Sequence, residues 1–481
     1  METSAKRPSF YIGLFLVAVL AFLAYLRNYA QPPYLYWDEN YHVASAQKYL
    51  DGVFFLEPHP PLGKLLIAAG EKIFARNARV DTSAFLKADH LDKVPEGFSF
   101  SGVRFFSAFS GFLLCLVFYL LAYELYPEPV IAALCSLLVI MDNALVLHLR
   151  GAMLEGPQLL FIAIFLLVFV RTMKTGEWNY GQSITLGLAF GLAMATKITA
   201  LFLLLAYLFR LCADRFRVRS CAMVSASLLT ACAVFLSVMA IHFVDARTVV
   251  ENRRYEISPT YQAVLSEGRY DLGSFALFLR ESLLYSKRYS LGVPKFKGDL
   301  PNENGSAPIS WPFGKRSISY RWDKTEDGRV KHLRLQCNPV GWGIGFLSFL
   351  AAAVLVGSRR MYSLPLAGRQ LENYRNVELF VVLYLGYMAG MIRIPRVMYL
   401  YHYFIALLLS FILSVLVFRH FYEEDIERRD GVVLLALVLL AVAQVATFLY
   451  FMPFTYGLPI TAQEFSDRAW LESWRLEPVL W

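Results

Sequence analysis

The chain is short of charge. Asp, Glu, Lys and Arg make up 17% of its 481 residues, against 57% apolar residues, and the mean hydropathy is +0.46. Soluble domains run nearer a quarter charged, so this composition belongs in a bilayer, and counting soluble domains from length has no force. Cysteines number six, at 115, 135, 212, 221, 232 and 337, with no CxxC pair, which argues against both a zinc site and a disulfide framework. No HExxH, GxGxxG loop or nucleophile triad stands out, and no repeat, coiled coil or low-complexity tract is visible. The formal charge of +8 is what basic cytoplasmic loops give a membrane protein, so nucleic acid is not expected as a partner. Lys6 and Arg7 precede an apolar run as in a signal peptide. That run continues through Leu26 without a clean small-residue cleavage site, so it reads as a retained first span.

What the chain has is long apolar runs. A span needs about 20 apolar residues, and candidates lie near 10–27, 102–124, 129–147, 153–171, 221–243, 339–357, 377–392, 397–418 and 431–452. A further run over 181–213 would reach about 46 Å as one helix, too long for a core of about 30 Å. Arg171 and Lys174 precede it, and Arg210, Arg215, Arg217 and Arg219 follow. The positive-inside rule puts both clusters in the cytoplasm, so the run is read as two short passes turning near Thr196-Lys197. The expectation is an all-α integral membrane protein of about eleven transmembrane helices, N-terminus inside. Two large segments, 28–100 and 244–337, and the tail from Pro453 fall outside. Residues 1–243 then form an N-terminal transmembrane module, 244–337 an extracytoplasmic segment and 338–481 a C-terminal module. Within the first outer segment, Glu39–Leu50 and Leu62–Phe74 read as short helices separated by Pro58, Pro60 and Pro61. The second, rich in Tyr, Arg, Gly and Pro, reads as a partly ordered polar cap.

This topology brings distant polar residues to one face. Asp38, Glu39, His42, His59 and Lys64 share the first outer loop, and Arg27 ends the first span. Arg150 and Glu155 lie in the turn between the third and fourth spans, and Lys197 at the turn of the long run. Arg393 and Arg396 flank a late outer turn, with Tyr401, His402 and Tyr403 just beyond. Ionisable groups beside or within a membrane are costly and mark function. A carboxylate pair facing several cations suits sugar transfer from a lipid phosphate to a hydroxyl. One general base deprotonates the acceptor, and fixed positive charge receives the leaving phosphate, which needs no acid behind it. Each residue also has a plain alternative. Asp38 is placed to cap the helix after it, His59 sits before a Pro-Pro turn, and Arg27, Arg393 and Arg396 stand where snorkelling anchors stand. Asp142, inside a span, reads as a partner within the bundle.

The motifs themselves are specific as an ordered set. Asp38-Glu39 with Tyr41-His42, then His59-Pro60-Pro61-Leu62-Gly63-Lys64, resembles the first outer loop of the protein O-mannosyltransferases. Met141-Asp142-Asn143-Ala144-Leu145 followed by Arg150 and Met153-Leu154-Glu155 is similar to a second family segment. Gly191-Leu192-Ala193 through Lys197, Ser310-Trp311-Pro312 and Tyr401-His402-Tyr403 are similar to three more, in the same order. The resemblance implies the C-type glycosyltransferase fold, a polyprenyl-phosphate-mannose donor, a Ser/Thr acceptor in an exported protein, and inversion at the sugar carbon. It implies Asp38 as base with Glu39 as its acidic neighbour. Donor phosphate and sugar fall to Arg27, His59, Lys64, Arg150, Glu155, Lys197, Arg393, Arg396 and His402, with Lys197 and Arg150 the leading phosphate partners. His42, Trp311, Tyr401 and Tyr403 are left to the acceptor or to support. Neither a cofactor nor a metal is expected. The expected partners are the lipid-linked sugar, the acceptor protein, membrane lipids and, as often in the family, a dimer mate.

Two departures stand out. The second outer segment is too short for the β-trefoil (MIR) domain of eukaryotic members, which points to a prokaryotic-type member in an inner or plasma membrane. The first motif reads ENYH where the family often has EVHF, displacing His42 by one position. A related transferase acting on a lipid or polysaccharide, as the aminoarabinose transferases do, is the alternative reading, and a transporter is a more distant one.

Overall fold

The computed structural model describes residues 8–175, 178–250, 257–298, 304–363, 365–366 and 368–476. The chain runs α1 (Pro8–Ala21, extended by a π-helical turn to Leu26), α2 (Glu39–Leu50), α3 (Leu62–Phe74), α4 (Ser83–Lys87), α5 (Ser101–Leu125), α6 (Pro129–Ile140), α7 (Asn143–Arg150), α8 (Glu155–Thr175) and α9 (Tyr180–Thr196). It continues with a 3-10 turn (Ile198–Leu203), α10 (Leu204–Ala213), α11 (Val218–Asp245), α12 (Pro259–Ser266) and α13 (Leu272–Gly292). After strands β1 (Ile318–Lys324) and β2 (Val330–Leu335) come α14 (Pro339–Tyr362), α15 (Gly368–Ile392), α16 (Phe404–Glu427), α17 (Gly431–Tyr456), β3 (Pro459–Ile460) and α18 (Ala462–Ser466). The boundaries expected for α2 and α3 coincide with those found.

Among the described residues, eight helices are long and apolar enough to cross a membrane, or nine if the bent pair α6–α7 counts as one span. The expected eleven is therefore not reached by length and composition. The long run over 181–213 does break at Lys197, but α9 has 17 residues and the apolar stretch after it is shorter still. Both breaks have a local cause. At the 63° bend between α6 and α7, Asp142 leaves the helix (φ −101°, ψ 117°) and its carboxylate accepts from the Leu145 amide at 2.8 Å. Its other oxygen accepts from the Trp342 indole at 2.7 Å, so Asp142 pairs within the bundle as expected. At Lys197 the backbone is extended, and the Gln158 amide donates to the freed carbonyl at 3.1 Å. Irregular backbone inside a bundle persists only where such partners satisfy it.

Small residues bring the first module together. A Cβ on Gly187 would lie 2.4 Å from the Ser227 carbonyl, and one on Gly191 2.8 Å from that of Ala231, so α9 and α11 touch backbone to backbone. α16 is the central helix, 89% of its most apolar window being buried, while α17 lies at the margin with 17%. The bundle is all-α as expected, and a small sheet lies beside it. Strands β1 and β2 of the second outer segment and β3 of the tail form a three-stranded antiparallel sheet in the order β1-β2-β3. β1 and β2 pair from Ile318↔Leu335 to Lys324↔Val330, with a bulge between Ser319 and Arg321 that leaves Tyr320 unpaired. The sequence shows the hairpin as alternating Tyr, Trp, Val and Leu about an Asp327-Gly328 turn, a pattern masked by its many charges.

Candidate active site

The first outer loop returns to the bundle just after the first span. Trp37 has φ +51°, a left-handed conformation that is costly for a bulky residue and that persists where surrounding contacts enforce it. The indole stacks on Tyr320 (5.0 Å, 12°) and meets Tyr399 edge-on. Asp38 follows at the N-cap of α2, yet its side chain makes no capping bond, which removes the plain alternative for it. Instead the partly buried carboxylate accepts from the Tyr401 hydroxyl at 3.2 Å. Burial and the charge of Glu155 hold the Asp38 carboxyl above its ordinary value; Lys197, His148 and the Tyr401 bond oppose that rise.

Glu39 is placed quite differently. It is fully buried, and its Oε1 accepts from Arg104 Nε and from the Ala152 amide, both at 2.7 Å. Oε2 accepts from Arg104 Nη2 at 2.7 Å and from the Tyr36 amide at 3.2 Å. Arg104 also donates to the carbonyls of Ala30, Pro32 and Tyr34, so one guanidinium and one carboxylate fasten the loop to α5 and to the α7–α8 turn. His42 supports the same turn, its Nδ1 donating to the Ala152 carbonyl at 2.8 Å. Burial, then the charge of Lys64, pushes the His42 imidazole down to about 3, so it is neutral and Nδ1 carries the proton.

Around Asp38 lies a second, charged network. Lys197 Nζ donates to Glu155 Oε1 at 2.6 Å, and His148 Nε2 reaches Glu155 Oε2 at 2.8 Å. His148 Nδ1 lies 2.5 Å from the Tyr320 hydroxyl. Lys197 also sits 5.6 Å from the centre of the Tyr401 ring, and that ring stacks on His148 at 4.9 Å. His59 joins this side: burial first, then the charges of Lys197 and Lys64, push its imidazole well below its ordinary value. Lys64 is buried and paired with Glu57, which also takes the Ser45 hydroxyl. Among the described residues no three His, Cys, Asp or Glu side chains gather as a metal site would need.

The remaining expected residues scatter. Arg150, expected with Lys197 at the phosphate, turns to the end of the first span, donating to the carbonyls of Ala24 (3.0 Å), Arg27 (2.9 Å) and Asn28 (2.8 Å). The Arg27 side chain is exposed. His402 stacks on Tyr401 (4.5 Å) and on the buried Trp311 (6.2 Å), so both line the edge of the site. Tyr403 faces away, its hydroxyl 3.1 Å from that of Tyr384 within the bundle. Arg393 is exposed, and Arg396 pairs with Lys295 in an antiparallel bridge beside the site. Sequence reasoning missed Arg104, His148 and Tyr320. The first two stand in apolar runs, where a charged or imidazole side chain is itself a signal. Tyr320 carried no signal beyond the hairpin pattern.

Comparison with known proteins bears on the family and the fold. Residues 15–246 match the family model for dolichyl-phosphate-mannose-protein mannosyltransferase, and residues 294–474 the model for the C-terminal four-span region of protein-O-mannosyltransferase. The chain is 23% identical over 504 aligned residues to the polyprenol-phosphate-mannose–protein mannosyltransferase of Mycolicibacterium smegmatis, covering 91% of this chain and 87% of that one. It is 28% identical over 188 residues to dolichyl-phosphate-mannose–protein mannosyltransferase 1 of Candida albicans, a stretch that is 38% of this chain but only 21% of the fungal protein. Its fold matches the Saccharomyces cerevisiae protein O-mannosyltransferase Pmt1-Pmt2 complex bound to the sugar donor, with a TM-score of 0.78 at 16% identity, over 98% of this chain and 93% of the yeast chain. Ordered motifs, bundle and both family models agree: the chain is a multi-pass membrane protein that belongs to the protein O-mannosyltransferase family of glycosyltransferases.

Proposed function

We propose that the protein transfers mannose from a polyprenyl-phosphate-mannose donor to serine or threonine hydroxyls of exported proteins, at the extracytoplasmic face of the membrane. One observation carries the reading: Asp38 is a partly buried carboxylate that makes no capping bond and, among the described residues, takes a side-chain hydrogen bond from the neutral Tyr401 hydroxyl, beside the Lys197–Glu155 pair. Asp38 takes the proton of the acceptor hydroxyl as its oxygen bonds to the anomeric carbon from the face opposite the phosphate. The bond from that carbon to the phosphate oxygen breaks, its electron pair leaves with the polyprenyl phosphate, and the sugar is inverted. Lys197, held in place by Glu155, binds the donor phosphate and stays on it as negative charge grows there, where a preset cation is most effective. Lys64 and His59 support the donor, and Glu39, Arg104 and Arg150 keep the loop in place.

The charge distribution supports this sidedness. Arg171 and Lys174 meet Glu124 at the end of α5, and Arg419 donates to the Leu125 carbonyl. Basic residues thus gather at the far end of the bundle from Ser101, where the α5 helix starts beside the site, and by the positive-inside rule this supports a cytoplasmic far end. Counting the short passes on either side of Lys197 then gives eleven spans. The near full-length match to a bacterial relative supports a prokaryotic-type member, and the yeast relative's two-chain complex supports a paired assembly. The test is reconstitution with polyprenyl-phosphate mannose and a Ser/Thr peptide: labelled mannose is expected on the peptide with inverted configuration. Transfer only to a lipid or polysaccharide in a donor and acceptor panel would overturn the acceptor.

A further inference from the structure

Tyr320 stands where three things meet. It is the bulged residue of β1, the one position between Ile318 and Lys324 with no partner on β2. Bulges re-aim a side chain, and here the ring turns from the sheet into the bundle, with 7% of the residue exposed. One ring face stacks on Trp37, the residue before Asp38, with Tyr36 also parallel at 6.0 Å. The hydroxyl meets His148, and through it Glu155 and Lys197.

One proton position along this chain is fixed by chemistry. A carboxylate only accepts, so Nε2 of His148 carries the proton shared with Glu155. Nδ1, on the other side of the ring, meets the Tyr320 hydroxyl, which can give or take a proton in that bond. Burial keeps the phenol well above its ordinary value, so the hydroxyl has its proton to give. The order carboxylate, imidazole, hydroxyl is that of a nucleophile triad, but the hydroxyl here belongs to a buried residue whose ring lies parallel to those of Trp37 and Tyr36. What the chain does is hold Glu155 from one side while Lys197 holds it from the other. Tyr320 thus touches both the Asp38 loop and the Glu155–Lys197 network.

The geometry points to Tyr320 and His148 as a positioning pair for the transferase reaction. The ring of Tyr320 places Asp38 through Trp37, and its hydroxyl, through His148 and Glu155, places the Lys197 ammonium that receives the donor phosphate. This rests on the mannosyl-transfer reading above. It adds that the two halves of the site are set by separate atoms of one side chain, so they can be separated by mutation.

Steady-state kinetics in proteoliposomes, varying polyprenyl-phosphate mannose at fixed peptide, tests it. Tyr320→Phe keeps the ring and loses the hydroxyl: donor KM is expected to rise about tenfold, the order of one lost bond in a charged network, with kcat unchanged. Tyr320→Leu loses the stack as well, and kcat is expected to fall too. His148→Ala should raise donor KM at least as far, and adding Tyr320→Phe to it should change nothing more, because both act through one connection. His148→Gln, which offers an amide donor to Glu155 and an acceptor to Tyr320, should recover most of the loss. A purely structural role would lower the active fraction and leave donor KM alone. An unchanged donor KM in Tyr320→Phe, or additive effects in the double variant, would overturn the proposal. Absence of peptide mannosylation by the wild-type protein would instead sink the mannosyl-transfer reading. Donor Kd measured without peptide then reads the pair on its own, with the same tenfold weakening in Tyr320→Phe expected and none refuting it.

Discussion

Two adjacent carboxylates of one loop sit in opposite surroundings. Asp38 has one neutral hydroxyl at 3.2 Å, while Glu39, fully buried, accepts four bonds, two of them from a single guanidinium. Sequence alone presents them as a pair, and the structure gives them different partners. A general base needs an oxygen with unfilled acceptor capacity and a carboxyl whose proton affinity is raised. Asp38 has both. A buried carboxylate that anchors a loop needs every oxygen satisfied and a fixed counter-charge, which is what Arg104 and the amides of Tyr36 and Ala152 give Glu39. On the proposed reading, acidity of the loop is not one feature but two, chemistry at Asp38 and placement at Glu39.

The sharpest way to break this division is at Asp38. Asp38→Asn is expected to lower transfer by about 10²–10⁴-fold, the usual span for a lost general base. Its thermal unfolding should stay at the wild-type value or rise. The sign follows from linkage: a carboxyl raised in the folded state contributes stability below its ordinary pKa and loses it as pH rises through the raised value, so at neutral pH removing the charge relieves a cost. Glu39→Ala should do the reverse. Removing one partner of a buried ion pair costs about 3–5 kcal/mol, read as a lowered unfolding temperature in detergent, while the protein that remains folded still transfers sugar. A Glu39→Ala variant that is stable but inactive would merge the two roles again.

Smaller changes sharpen the donor side. Glu155→Gln removes the charge that holds both Lys197 and His148, and donor KM should rise about 10–100-fold. Tyr401→Phe removes the hydroxyl on Asp38 and should reduce transfer about threefold to tenfold, the scale of one hydrogen bond. It should also move the acid limb of the pH–rate profile. With Asp38 as the proposed base, transfer needs it ionised, so activity should fall as pH drops toward its raised value. Loss of a bond that favours the ionised form should shift that fall to higher pH. An unmoved profile would show that Tyr401 does not act on the base.

Much of this was legible in the sequence because hydropathy and proline placement are local. The long spans, the helices Glu39–Leu50 and Leu62–Phe74, and the break at Lys197 all come from runs and interruptions within a few residues. The division between Asp38 and Glu39 is not local. It depends on Arg104, 65 positions beyond Glu39, and on the Ala152 amide, 113 positions beyond it. Arg150 shows the same limit: its place at the outer turn was readable, but not that its donors turn to the carbonyls at the end of the first span. Tyr320 depends on a bulge, which is a matter of register between two strands and has no signature in either one. The count of spans stayed open for another reason, since a helix of 17 residues is near the limit where length alone decides.

The central claim is that Asp38, not Glu39, meets the acceptor hydroxyl. It is tested most directly by single-turnover mannose transfer with purified Asp38→Asn protein in nanodiscs, loaded with labelled polyprenyl-phosphate mannose and shown to bind it as the wild type does. The account predicts normal donor binding with transfer to the Ser/Thr peptide slowed by at least about a hundredfold. Transfer at the wild-type rate by that same donor-loaded protein would contradict it.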